Sequence, residues 1–297
     1  MRKLFLLLLL LPLLWGQPPS EFPTQSFPAI PWEKIEIANC SALLTSKPFF
    51  PPQVPQIDPC YKWKFNRVLY GYVMDGNRYK LVFRLYFPSR FLSSSGNDYL
   101  PLAKKVLSYS LFFYILGRDF LGRTSQWSKD GVVDIWLCEN GEGGGEQIGK
   151  NIYIYQIGKE RDDVELLREV AHEWGHHIIP PVGPYEEPEE WANGYIGERL
   201  LLKLLLEHLP SALAPLKANL NSFLEKKNKI PLELFRREGD SRELLKSKGK
   251  YGFLYILGYV IDVSEKRGME FLRDVFKKFK GGSGEKLVEF IEKDCVI

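Results

Sequence analysis

The residues His172, Glu173 and His176 stand in the run Ala171-His172-Glu173-Trp174-Gly175-His176-His177, at a spacing that can do chemistry. Histidines four apart on a helix lie on one face, one turn above each other, so their imidazoles can close on a single ion. Zinc accepts neutral imidazole in a tetrahedral site, and where it does chemistry it takes three protein ligands and leaves the fourth position to water. Glu173, next to the first ligand, is then placed to take a proton from that water. The chain holds four histidines, and three of them fall within residues 172–177, a clustering that scattered surface histidines would not show. The chemistry implied is metal-assisted hydrolysis.

A helix must carry these residues. Asp162 with Glu165 three positions on is a capping-box variant that starts one. Val164, Leu167, Ala171, Trp174 and Ile178 recur at three and four and give it an apolar stripe, with His172 and His176 on a neighbouring stripe beside Glu165 and Glu169. Pro180-Pro181 ends it. His177, one turn from Glu173, either lines the same cleft or is an ordinary exposed histidine. His208, near the end of an apolar helix, reads as solvated, so the third ligand is sought among Glu186, Glu187, Glu189, Glu190 and Glu198. Pro188 suits the first turn of a second helix that runs to Leu209, where Pro210 stops it. Periodicity leaves Glu189 and Glu190 in competition. Glu190 shares its stripe with Gly194, Gly197 and Leu201, small residues that would let the two helices approach closely.

Around this centre the chain divides into four stretches. Residues 1–16, with Arg2 and Lys3 before an almost pure leucine run, read as an export signal too short to span a bilayer comfortably, although an uncleaved anchor is the alternative. Residues 17–59 are dense in proline and read as a linker or wrapping arm, with a propeptide as the functional alternative. Asn39-Cys40-Ser41 matches a glycosylation acceptor. Residues 60–180 carry a hairpin from Tyr61 to Phe87 turning at Asp75-Gly76-Asn77, a helix from Tyr99 to Phe120, and strands at Val132–Cys138 and Asn151–Ile157 around a glycine-rich loop, Gly141 to Gly145. That loop lacks the lysine and serine of a phosphate cradle and reads as a flexible lip beside the cleft. Residues 181–297 are helical and lysine-rich.

A formal net charge of +3 and a pI near 8.5 give no reason to propose a nucleic-acid partner, and membrane contact is expected only through an uncleaved leader. Cys40, Cys60, Cys138 and Cys295 are an even number in a chain that reads as exported, so one or two disulfides are expected. Of three possible pairings, Cys40 with Cys60 and Cys138 with Cys295 is favoured.

The order strand, helix, strand, strand and then a helix bearing His-Glu-x-x-His resembles the N-terminal lobe of the zincin metallopeptidases, over about Leu100 to Phe279. The resemblance implies an α+β, two-lobed fold, with a mixed N-terminal sheet and a mainly helical C-terminal lobe. It also implies that the strand before the metal helix, here Asn151 to Ile157, forms the sheet edge to which an extended peptide adds. Residues after His176 do not supply the short-range glycine and histidine of a metzincin. Glu189-Glu190-Trp191-Ala192-Asn193 instead resembles the Glu-x-x-Ala-Asp/Asn element of the thermolysin-like gluzincins. Carried over, this makes Glu189 the third zinc ligand and Asn193 the group that orients His172. In several gluzincins a tyrosine or histidine of the C-terminal lobe stabilises the oxyanion, a role that Tyr251 or Tyr255 could fill; packing in a helical core is the structural alternative for either.

These readings combine into a secreted or extracytoplasmic zinc metallopeptidase acting on a peptide or protein substrate, with His172, His176 and Glu189 on the metal and Glu173 as general base. A non-catalytic exported zinc-binding adhesion or scaffold module, and a hydrolase of a cell-wall amide, are the alternatives.

Overall fold

In the computed structural model of the chain, the described residues are 65–293 apart from 76–77, 91–92, 94, 142 and 240, together with segments 25–26 and 34–39. The leader, Cys40, Cys60, Cys295 and the Gly76-Asn77 turn lie outside them. Cys138 is buried and disulfide-bonded, its partner being outside the described residues.

Two short strands from the proline-rich stretch, β1 (Gln25–Ser26) and β2 (Lys34–Asn39), pair antiparallel with each other, and β2 then pairs with β3 (Arg67–Asp75). Aromatic and β-branched residues alternate with polar ones through β3 and β4 (Arg78–Phe87), the pattern of strands with one covered face. The pair closes as a hairpin with Asp75 opposite Arg78. Helix α1 (Leu100–Phe120), with proline in its first turn, covers that face through Ala103, Val106, Leu107 and Leu111, and Gly71 leaves room for the last two. The chain then returns as β5 (Val133–Leu137), parallel to β4 and buried at every residue, as an inner parallel strand must be.

The next two strands revise the expected edge. β7 (Asn151–Ile154) is parallel to β5 on one side and antiparallel to β6 (Gly145–Ile148) on the other, so β6 closes the sheet. The run Glu146-Gln147-Ile148 has too little apolar alternation to announce a strand, and the glycines before it allow the reversal. A Cβ at Gly145 would sit 2.8 Å from Glu173 Oε1 and 2.9 Å from the Tyr153 carbonyl. The last residue of the glycine-rich loop, Gly145, therefore opens an ordered edge strand pressed against the helix behind it.

That helix, α2 (Asp163–Ile178), begins where Asp162 accepts the Glu165 N–H at 2.8 Å. Trp174 anchors it: its ring meets Phe83 edge-on at 5.3 Å, and its indole N–H donates to the Phe113 carbonyl at 3.2 Å. Its last carbonyls are satisfied from the 123–127 segment, by Arg123 to Ile178, Gln126 to His176 and Ile179, and Trp127 to His176.

Helix α3 runs from Asn193 to Glu207 and starts five residues later than Pro188 suggests. Glu189 and Glu190 lie in the preceding segment, which is bent into a loop by Tyr185 N–H to Glu190 O at 2.8 Å and Ala192 N–H to Val182 O at 2.9 Å. Beyond it come a 3-10 turn at Ser211–Leu216, α4 (Lys217–Glu238), α5 (Arg242–Lys246), α6 (Lys250–Lys278) and α7 (Gly284–Lys293). The architecture is α+β, a mixed sheet of five strands extended by β1 and β2, with seven α-helices among the described residues. One hydrophobic cluster runs from Leu69 in β3 to Ile291 in α7. None of the described helices is long and apolar enough to cross a membrane.

Where α2 and α3 cross, backbone touches backbone. A Cβ on Gly175 would lie 2.7 Å from the Gly194 carbonyl and 3.0 Å from Gly197 Cα, and one on Gly197 would collide with Gly175 itself. On an open helix, glycine to alanine is favourable by about 1 kcal/mol. Here Gly197→Ala is expected to reverse that sign and cost about 1–3 kcal/mol through overpacking. Chemical denaturation of the variant checks this, and an unchanged or raised stability would rule out the close crossing.

Candidate metal centre

The crossing sets the site. His172 and His176, one turn apart on α2, have ring centroids 5.0 Å apart, and the segment before α3 brings Glu189 beneath them. Glu189 Oε2 is 3.2 Å from His172 Nε2, and its Oε1 is 3.9 Å from His176 Nε2. One ligand atom from each of the three residues lies within 4.8 Å of the other two. Gly194 faces both rings: a Cβ there would be 2.7 Å from His172 Nε2 and closer still to His176 Nε2. The space between the two Nε2 atoms is kept clear by the missing side chain.

Two carboxylate oxygens in this centre, Glu189 Oε1 and Glu173 Oε2, are buried with no hydrogen-bond partner. Unpartnered buried oxygens of this kind are costly and ask for a cation or a donor. Two neutral imidazoles and a carboxylate, with a further carboxylate alongside, are the donor set that zinc takes at an open site. The residues therefore fit the ion.

Behind the ligands, other groups hold them. Asn193 Oδ1 is 3.0 Å from His176 Nδ1, and Glu198 Oε2 is 3.3 Å from His172 Nδ1. Asn193 thus serves the second histidine and not His172, because α3 begins at Asn193 and its next turn carries Glu198 to the first. Such partners fix the tautomer that leaves Nε2 toward the ion. Glu198 is itself held by Arg199 Nη1 and, at 3.7 Å, by Arg168. Burial alone would raise the Glu198 carboxyl, but the hydrogen bond to His172 and the charge of Arg199 hold it below the ordinary value.

Other residues singled out in the sequence are not part of the His172, His176 and Glu189 cluster. Glu190 is exposed and contributes only its carbonyl to the loop. Tyr251 is 66 % exposed in the first turn of α6, and Tyr255 is buried with its hydroxyl donating to the Gly239 carbonyl. The aromatic ring at the site is Tyr195 of α3, edge-on to His172 at 4.7 Å, and only its place two residues past Asn193 would have pointed to it. His177 neither lines the cleft nor is exposed. It is fully buried, stacked under Trp174 at 5.2 Å with Nδ1 2.8 Å from Ser125 Oγ. Burial, with the neighbouring His176, pushes it down to about 3, so it is neutral. His208 is half-buried, stacked on Phe120 at 4.2 Å.

For the protein groups by themselves, burial would lower His172, but its hydrogen bonds to Glu189 and Glu198 and the charges of Glu189 and Glu173 raise it to about 10. Burial raises Glu173 to about 8, against the pull of the His172 charge. Burial and the His172 charge lower His176 to about 4. The cluster thus holds a proton where an ion would sit, and a bound cation inverts this balance by displacing the His172 proton and favouring ionised Glu173. Comparison of the sequence with protein-family models finds no match, and no curated protein matches it.

Two predictions follow from this geometry. Zinc titrations should show that Glu189→Ala abolishes stoichiometric binding, that Glu190→Ala leaves it intact, and that Glu198→Gln weakens it by about 10–100-fold. The pH dependence has a definite sign. His172 and Glu173 have folded values above their ordinary ones, so their contribution to the metal-free fold falls as pH rises toward about 10 and about 8 respectively. His176 and His177 are neutral in both states above 6.5. Zinc should therefore raise the melting temperature more at pH 9 than at pH 7; an equal shift at both would show that the proton and the ion do not compete.

Proposed function

We propose that the protein is an exported, zinc-dependent metallopeptidase of the gluzincin type. The observation that carries this reading is the buried, partnerless Glu173 oxygen beside the convergent His172, His176 and Glu189. A metal held only for structure would be closed by a fourth ligand and would need no extra carboxylate. Export rests on the charged and leucine-rich leader.

When bound, zinc supplies a Lewis acid that lowers the pKa of water to about 7 and polarises a carbonyl. The protein's own residues do the rest. His172 and His176, held by Glu198 and Asn193, keep their Nε2 atoms turned to the ion. Glu173 accepts the proton of the attacking water and delivers it to the leaving amine. Its burial keeps competing water away, and beside a bound cation its carboxyl would be ionised, the state that a general base needs.

Strand β6 closes the sheet beside Glu173, and its outer backbone is where an extended peptide would add as a further strand. On this reading the sheet with α1 and α2 corresponds to the N-terminal zincin lobe and the helices from α3 onward to the C-terminal one, the two sharing one hydrophobic cluster. Peptide substrates are favoured over cell-wall amides because this edge offers backbone hydrogen bonds to an extended chain.

Glu173→Gln is expected to keep its zinc and lose about a hundredfold to ten-thousandfold in turnover on an unstructured protein substrate. Chelation should abolish the activity of the unaltered protein and added zinc should restore it. Full activity of the variant would remove Glu173 from the mechanism. Cleavage of wall fragments but not of protein would move the substrate class.

A further inference from the structure

One residue past Glu198, helix α3 turns a different side toward α4 and α6. There Arg199 and Lys203, one turn apart, line a groove of about 400 Å³. Its walls are largely apolar, with Leu200, Leu224, Leu232 and Ile261. Three polar groups at this groove are incompletely used. Arg199 is only 5 % exposed; its Nη1 holds Glu198, but its Nε is buried with no hydrogen-bond partner. Lys203 Nζ donates to two neutral oxygens of Ser264, the carbonyl at 3.3 Å and the hydroxyl at 3.4 Å. From α4, Asn228 presents a buried Oδ1 that also lacks a partner.

Of the acids at the groove, Glu265 is taken by Arg236 at 2.9 Å, and Glu225 stands exposed at the rim one turn from the equally exposed Lys229. Glu198, on the far side of Arg199, neutralises that guanidinium, so the charge at the inner end with no acidic partner among the described residues is that of Lys203. The groove's complement is a carboxylate for Lys203, an N–H for the Asn228 oxygen, and an apolar group for the leucine wall. A groove of this volume takes a ligand of one or two residues.

We infer that this groove is a second ligand site, which takes an acylated apolar amino acid or the carboxyl end of a peptide whose last residue is apolar. The inference goes beyond the hydrolytic reading and does not depend on it. Arg199 is shared between the groove and the Glu198–His172 pair, so Lys203 and Asn228 are the residues to alter.

The test is calorimetric titration of the full protein with N-acetyl-leucine, compared with its amide, which lacks the carboxylate, and with 4-methylpentanoate, which lacks the N–H. Saturable binding of N-acetyl-leucine is expected, with both analogues at least about tenfold weaker. Lys203→Met should weaken binding by about tenfold or more, the loss of one charge-assisted hydrogen bond, with the melting temperature as the check on folding. Should Lys203→Met fold poorly, Asn228→Leu gives the same reading from α4. Binding should persist in Glu189→Ala protein that holds no zinc, which separates this site from the metal centre. No saturable binding, equal binding of the amide, binding unchanged in both groove variants, or binding lost in Glu189→Ala would each overturn the inference.

Discussion

The contact between Gly175 and Gly197 is the constraint on which the rest of the structure depends. Two helices with ordinary side chains at their crossing keep their axes about 8–10 Å apart. Removing both side chains lets α2 and α3 meet backbone to backbone, and Gly194, one turn earlier, faces the two imidazoles directly. Only at that separation does the segment before α3 bring Glu189 within reach of both rings. Asn193 and Glu198, a turn and a half apart on α3, then fall opposite the Nδ1 atoms of the two histidines. The site is a product of helix packing as much as of the residues that face the ion.

A second constraint acts from the sheet. Gly144 and Gly145 bring the last strand against Glu169 and Glu173, carboxylates of the helix behind it. Burial on this scale keeps water from one flank of the cluster and accounts for the raised affinity of Glu173 for protons. The Glu169 carboxyl is also raised by burial, against the opposing charges of Arg161 and Arg168, and Arg161 is bonded to it at 2.5 Å. The loop that carries Arg161 is thereby tied to the same helix.

Much of this can be read from spacing alone, and the exceptions have physical reasons. The metal helix is a local object: its cap, apolar stripe and histidine pair all lie within seventeen residues, so periodicity finds it. Glu189 is seen by its motif, whereas the start of α3 is not, because loop hydrogen bonds from Tyr185 and Ala192 override the preference of Pro188 for a first helical turn. The edge strand is hidden because Gly145–Ile148 gains its partner from β7 and not from its own residues. His177 is misjudged because exposure is a tertiary property: it lies buried under a tryptophan. Asn193 meets His176 and not His172, and Glu198, a candidate ligand by sequence, holds His172 from behind, because the register of α3 against α2 depends on the glycine crossing, which no single helix reveals.

The stack of Trp174 on His177 has a further consequence. With one side of α2 pinned through that indole into the sheet and α1, and its final carbonyls tied down by Arg123, Gln126 and Trp127, the helix has no freedom to slide or roll. The imidazoles on the opposite side hold their spacing before any ion arrives. Capture of a metal then demands little ordering entropy, and discrimination among ions falls to the fixed distances of the cage and not to its ability to adapt.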